Sequence, residues 1–160
     1  MALVERLGRT TQATSWKGEI PLTYVYTPGR AGEVFLKALR DDGQFLGARC
    51  GACALTYVPP RTFCERCFAR IEDSFVELGS KGVVETFTLC HEAFDGQRKP
   101  EPSIVAMIRL DGADGLLMHR LGDVAPDEVR NGMAVEAVFK PKKKREGSIL
   151  DVEHFKPVAG

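Results

Sequence analysis

The chain has 160 residues, with 22 lysines and arginines balanced by 22 aspartates and glutamates, 44% hydrophobic residues and 28% charged ones. That size admits one modest core, the composition is that of an ordered soluble protein, and the balanced charge gives the whole molecule no field to draw nucleic acid or an anionic membrane surface. Residues 1 to 20 lack a positively charged start followed by an apolar run, no later stretch approaches the ~18 apolar residues of a membrane span, and the cysteine count of five is odd, so a reducing, cytoplasmic setting is expected.

Residues 1 to 27 mix polar residues with short apolar clusters such as Ile20 to Tyr26, and Pro21 and Pro28 favour an extended arm over a helix. An arm of this kind needs a surface to lie on. From Gly32 to Arg40, the residues Val34, Phe35, Ala38 and Leu39 recur at helical spacing, and Asp41-Asp42-Gly43 supplies a stop, which predicts an amphipathic helix. Such a stripe either packs on its own domain, the commoner use, or receives a partner.

Two tight pairs follow, Cys50-Gly51-Ala52-Cys53 and Cys64-Glu65-Arg66-Cys67, separated by ten residues. Each C-x-x-C pair can present two thiolates to one ion, and the four sulfurs of Cys50, Cys53, Cys64 and Cys67 complete the tetrahedral shell that structural Zn²⁺ prefers, with no open position for catalysis. Two disulfides would suit a secreted chain, which the start of the sequence argues against. A thioredoxin-like redox pair would want one C-x-x-C opening a helix, whereas Pro59 and Pro60 lie between two pairs here. One local departure stands out: zinc knuckles commonly place glycine just after the second cysteine for its positive φ, and Ala54 and Phe68 hold those positions.

Beyond the ribbon, expected over residues 46 to 73, the pattern turns to short β segments. Phe75 to Leu78 leads into Gly82, and Val83 to Cys90, Ile104 to Leu110, Leu116 to Leu121, Ala134 to Lys140 and Ile149 to Phe155 read as five strands. Ala125 to Arg130 reads as a short helical turn between the third and fourth. That order is the order of an OB-fold, a small Greek-key barrel, placed over residues 74 to 160 behind an arm-and-helix segment over 1 to 45. Asp111-Gly112-Ala113-Asp114-Gly115 fails the calcium-loop spacing and reads as a hairpin turn.

Two basic stretches fall in loops with which OB-folds commonly grip oligonucleotides: Arg98 and Lys99 in the first, and Lys142, Lys143, Lys144 and Arg145 in the second. They raise the odds of a phosphate-bearing ligand, either nucleic acid or a cofactor, although a charge run is more often plain solvated surface. Single-strand binders place aromatic platforms on strands two and three, and those strands are aliphatic here, which disfavours nucleic acid. No nucleophile and base assemble in sequence. Cys90, His91 and Glu92 are adjacent, but neighbours on a strand point to opposite faces, so Cys90 reads as a small buried hydrophobe, and His119 and His154 as structural histidines.

Helix, rubredoxin-like ribbon and carboxy-terminal OB-fold in that order resemble a family of small bacterial and archaeal proteins that accompany acyl-CoA enzymes. The resemblance is carried by Gly32 to Arg40, by Cys50, Cys53, Cys64 and Cys67, by Gly82-Val83-Val84-Glu85-Thr86-Phe87-Thr88 and by Gly132-Met133-Ala134-Val135-Glu136, and it covers roughly residues 28 to 158. It departs at Leu36, where the family usually has tryptophan after the helix phenylalanine. The resemblance implies a zinc-binding subunit without catalytic residues of its own, in a stable complex with a thiolase-like enzyme or, in other members, an acyl-CoA hydratase, sometimes helping to cover the coenzyme A channel. The stretches Lys144 to Asp151 and Gly112 to Gly115 are similar to a subgroup that includes the small subunit of benzoylsuccinyl-CoA thiolase. On that reading the basic side chains from Arg98 to Lys99 and from Lys142 to Arg145 would meet the phosphates of coenzyme A.

Overall fold

The computed structural model describes residues 23 to 93 and 95 to 158; of the expected arm, residues 1 to 22 lie outside the described residues, and 23 to 27 run as exposed chain without regular structure. The helix α1 spans Gly29–Asp41, three residues longer at its start than the periodicity predicts, and it buries Ala31, Phe35, Ala38 and Leu39. Gly43, at φ +65°, lies just beyond its end, and the Asp42 and Gln44 N–H groups both donate to the Ala38 carbonyl, closing the last turn as expected of a glycine stop.

A three-stranded antiparallel sheet follows, formed by β1 (Phe45–Arg49), β2 (Thr56–Tyr57) and β3 (Phe75–Leu78) in the order β2-β1-β3. Phe75 to Leu78 therefore belongs to the ribbon sheet, paired from Phe45 with Leu78 to Ala48 with Phe75, and does not lead into the barrel as a strand of its own. The barrel is closed by β4 (Lys81–Glu92), β5 (Arg98–Leu110), β6 (Leu117–Leu121), β7 (Ala134–Phe139) and β8 (Val152–Pro157), in the order β4-β5-β6-β8-β7. This is the five-stranded OB-fold barrel expected from the strand count. At Gly82 a Cβ would stand 2.3 Å from the Arg109 carbonyl oxygen, so only glycine lets β4 cross β5 there.

Ala125 to Arg130 makes the single turn expected there, with Glu128 N–H on the Ala125 carbonyl, and Gly132 N–H to Val84 O at 2.7 Å then draws the chain into the sheet. Two local expectations are corrected. The last strand begins at Val152 because Ser148 and Asp151 close a capping box around a 3₁₀ turn at Ile149–Asp151. The β4–β5 hairpin extends well past the apolar run, so Arg98 and Lys99 stand within a strand, not in a loop.

One core runs through helix, ribbon sheet and barrel. Phe45 of β1 is fully buried and stands 6.4 Å from Phe35 of the helix, 5.3 Å from Phe139 and 5.9 Å from Phe155 of the barrel, centroid to centroid. The helix stripe is thus consumed by its own chain, the commoner of the two uses. The β5–β6 turn adds a polar seam: Asp114 Oδ2 accepts from Thr56 N–H at 2.8 Å, while the N–H groups of Asp114 and Gly115 donate to the Thr56 carbonyl at 2.9 and 3.1 Å. Thr56 is fully buried yet satisfied on both backbone groups. A smaller cluster of Ala48, Cys50, Tyr57, Cys64 and Ile71 surrounds the cysteines. Truncating Phe45→Ala should cost about 3–5 kcal/mol, the range for a buried phenylalanine, and should lower one transition shared by ribbon and barrel in urea unfolding followed by circular dichroism.

Candidate metal centre

The two cysteine pairs fold into knuckles with the same backbone pattern. In the first, Cys50 N–H donates to the Leu55 carbonyl and Ala54 N–H to the Cys50 carbonyl, each at 2.8 Å; in the second, Cys64 N–H donates to Ala69 and Phe68 N–H to Cys64, each at 2.9 Å. Each knuckle therefore turns its chain back through a left-handed residue, and Ala54 and Phe68 take that conformation, both at φ 58°, without glycine. A residue with a Cβ meets a cost of roughly 1–2 kcal/mol there. For Phe68 the cost brings no packing in return, since the residue is 77% exposed.

The four Sγ atoms lie within 4.8 Å of one another, with Cys50 and Cys67 3.6 Å apart. Zn–S bonds of about 2.3 Å in a tetrahedron put sulfurs about 3.8 Å apart, so this donor set fits one zinc. All five cysteines are free thiols, which sets aside the disulfide reading. Tyr57, which the cysteine spacing does not reveal, sets its hydroxyl 3.3 Å from Cys64 Sγ and pulls that thiol down to about 6, while the same contact pushes the tyrosine up to about 12. Cys53 is pushed up to about 12, first by its hydrogen bond with Cys67 and then by burial. A bound zinc deprotonates its coordinating thiols outright and would hold all four as thiolates. With four protein ligands the zinc is structural.

The expected phosphate-binding side chains are anchored to different elements. Arg98 stands opposite Glu92 across the β4–β5 hairpin, and Lys99 Nζ donates to Ser103 Oγ at 2.8 Å. Lys142, Lys143 and Lys144 form an exposed 3₁₀ turn. Arg145 is turned inward: its Nε donates to the Lys140 carbonyl at 2.7 Å, and its guanidinium lies 5.5 Å from the centroid of the Phe139 ring. A Cβ on Gly43 would come within 2.5 Å of that guanidinium, which ties the loop to the end of α1. Buried Asp151 closes the other end of the loop by accepting from the N–H groups of Glu146, Gly147 and Ser148. Burial raises the Asp151 carboxyl, but those donors outweigh it and hold it below the ordinary aspartate value.

Cys90 is half-buried on β4, and His91 and Glu92 beside it are exposed. His119 points into the barrel, its ring 5.8 Å from Phe155, with Nε2 3.4 Å from the Ile149 carbonyl and Nδ1 buried without a partner among the described residues. Burial lowers its pKa, so the ring is neutral at pH 7. His154 Nε2 lies 3.1 Å from Asp123 Oδ2. Among the described residues, no helix is long and apolar enough to cross a membrane.

Comparison with known proteins agrees with this anatomy. A family model for the ChsH2 rubredoxin-like zinc ribbon domain matches residues 38–72, and one for the ChsH2 C-terminal OB-fold domain matches residues 75–140. A DUF35 domain-containing scaffold protein of Methanocaldococcus jannaschii is 33% identical over 115 residues, which cover 71% of this chain and 81% of the relative. One of Pyrococcus furiosus is 27% identical over 126 residues, covering 78% and 90%. Among solved structures, a DUF35-family protein of unknown function from Sulfolobus solfataricus shares the fold with a TM-score of 0.63 at 24% identity, covering 81% of this chain and 87% of that one. The Ltp2–ChsH2(DUF35) aldolase shares it with a TM-score of 0.56 at 23% identity, covering 78% and 91%.

The Cys50→Ser chain should lose its zinc and much of its folded ribbon, because metal binding contributes an apparent ~10–16 kcal/mol in such sites. Zinc content by mass spectrometry and thermal melting check this, and a variant that kept both metal and a cooperative melt would exclude the four-cysteine site.

Proposed function

Because the chain belongs to the DUF35 family of scaffold proteins, built here from a zinc ribbon and an OB-fold, we propose that it is the non-catalytic subunit of a thiolase-like enzyme, scaffolding the catalytic partner and helping to bind or cover coenzyme A. The observation that carries this reading is the 33% identity to a scaffold protein over most of both chains. Exposed apolar surface supports it. Tyr24 and Tyr26 stack 5.8 Å apart on the segment before α1, and Val25 between them is 94% exposed. Leaving such groups in water forgoes burial that a partner would supply.

Two likenesses support the class of partner. We read the Lys144 to Asp151 and Gly112 to Gly115 stretches as similar to a subgroup that includes the small subunit of benzoylsuccinyl-CoA thiolase. The Ltp2–ChsH2(DUF35) aldolase joins a DUF35 chain to an aldolase. Thiolases and aldolases both make or break a carbon–carbon bond beside a carbonyl, so an enzyme of that kind acting on an acyl-CoA is the partner we favour over a hydratase. Lys142, Lys143 and Lys144 face solvent on one short turn, free to meet phosphate oxygens, and Arg145 sets the loop that carries them.

Purification of the tagged chain from its host, with co-purifying proteins identified by mass spectrometry, tests the reading. A near-stoichiometric carbon–carbon-bond enzyme is expected; nucleic acid or no partner would overturn the proposal, and a hydratase would change the reaction. In the complex, replacing Lys142, Lys143 and Lys144 by alanine should raise the KM for acyl-CoA, by roughly 10-fold if about 1.4 kcal/mol of phosphate contact is lost. An unchanged KM would exclude that turn as a coenzyme A site.

A further inference from the structure

Phe68 occupies the left-handed position of the second zinc knuckle, where glycine would sit without strain, and yet its ring is 77% exposed. A strained backbone that brings its own chain no packing points to a use outside the chain. Phe63, on the same knuckle and bridged to Arg70 across it, is 55% exposed. Arg66, at the knuckle's tip between Cys64 and Cys67, is exposed and has no carboxylate partner among the described residues, whereas its neighbour Arg61 is paired with Glu65 and lies over the Tyr57 ring. The knuckle forms one wall of a groove of about 470 Å³ through Glu65 and Arg66, with Phe68 just outside the lining, and the other wall is the barrel, through Met107, Asp114 and Leu116. Met118, paired with Met107 on the outer face of the barrel, continues the apolar surface at 65% exposure.

Resting on the scaffold reading above, we infer that the second zinc knuckle and this groove are the docking surface for the catalytic subunit: a segment of that subunit with apolar side chains lies along Met107, Leu116 and the exposed Phe68, and a carboxylate beside them pairs with Arg66. Three observations select such an occupant. Aromatic rings and arginine are the side chains that carry interface hot spots, methionines adapt to a neighbour's shape, and one uncompensated guanidinium calls for one acid rather than a polyanion. A nucleic acid strand would want a run of cations, and the Arg61–Glu65 pair has already spent the nearest one. The metal makes the rings effective, because a knuckle closed by four sulfurs presents them without the ordering cost that a loop incurs on binding.

The test uses the full chain and the catalytic subunit that co-purifies with it. Phe68→Gly suits the backbone at φ 58°, so that variant should keep its zinc and melt at or above the wild-type temperature while its Kd for the subunit rises on the order of 30-fold, the hot-spot range. Arg66→Glu should also weaken binding, with a deficit that shrinks as salt is added. Hydrogen exchange on the wild-type chain should show protection over residues 61 to 70 when the subunit is added, a readout that needs no variant to fold. A Phe68→Gly chain that binds like wild type, or an unprotected knuckle in the formed complex, overturns the docking surface and leaves the scaffold reading standing. A wild-type chain that takes up no catalytic subunit overturns both, and oligonucleotide binding lost on Phe68→Gly assigns the knuckle to nucleic acid instead.

Discussion

Closure of four sulfurs on one zinc is the constraint from which the amino-terminal half of this molecule derives its shape. The segment from Cys50 to Ile71 holds only a two-residue strand and a single isolated bridge, and its buried cluster is small. Such a segment cannot cover the backbone entropy of ordering some twenty residues from apolar burial alone, and a structural zinc supplies the difference. Once closed, the ribbon places Phe45 between Phe35, Phe139 and Phe155, so the metal-stapled sheet and the barrel share a core. Tyr57 links the levels: its ring packs with the cysteine cluster, its hydroxyl reaches Cys64, and its strand neighbour Thr56 is bound to the β5–β6 turn through Asp114.

This construction suits a scaffold. Four of five cysteines converge on one metal site, the buried histidine His119 is held in the barrel interior, and His154 pairs with Asp123. The surface also offers apolar and basic features: the stacked tyrosines before α1, the methionines of the barrel face, the aromatic knuckle and the lysine turn. Surfaces of this kind bind, and rigidity behind them lowers the cost of binding.

Much of this was legible in the sequence, because the features that carry it are local. Ligand spacing identified the metal site, and alternating apolar runs identified five strands in OB order, since each strand must turn one face inward whatever its neighbours are. What the sequence hides is non-local. Apolar periodicity begins only at Ile104, which marks Arg98 and Lys99 as loop, but a hairpin can extend into solvent on backbone hydrogen bonds alone. In sequence Arg145 is one of four equivalent cations; in the fold Phe139 and Gly43 stand beside it and set it apart. Phe68 was visible as a departure from glycine, and only the structure shows that the departure is retained with its ring in water.

The central claim, a zinc-stapled subunit that supports catalysis without performing it, is tested most directly by acyl-CoA turnover with the subunits separated and recombined. The account predicts no turnover by this chain alone, little by the catalytic subunit alone, and recovery on mixing that zinc chelation of this chain beforehand abolishes. Turnover by the isolated chain, with loss on Cys90→Ser, would contradict it.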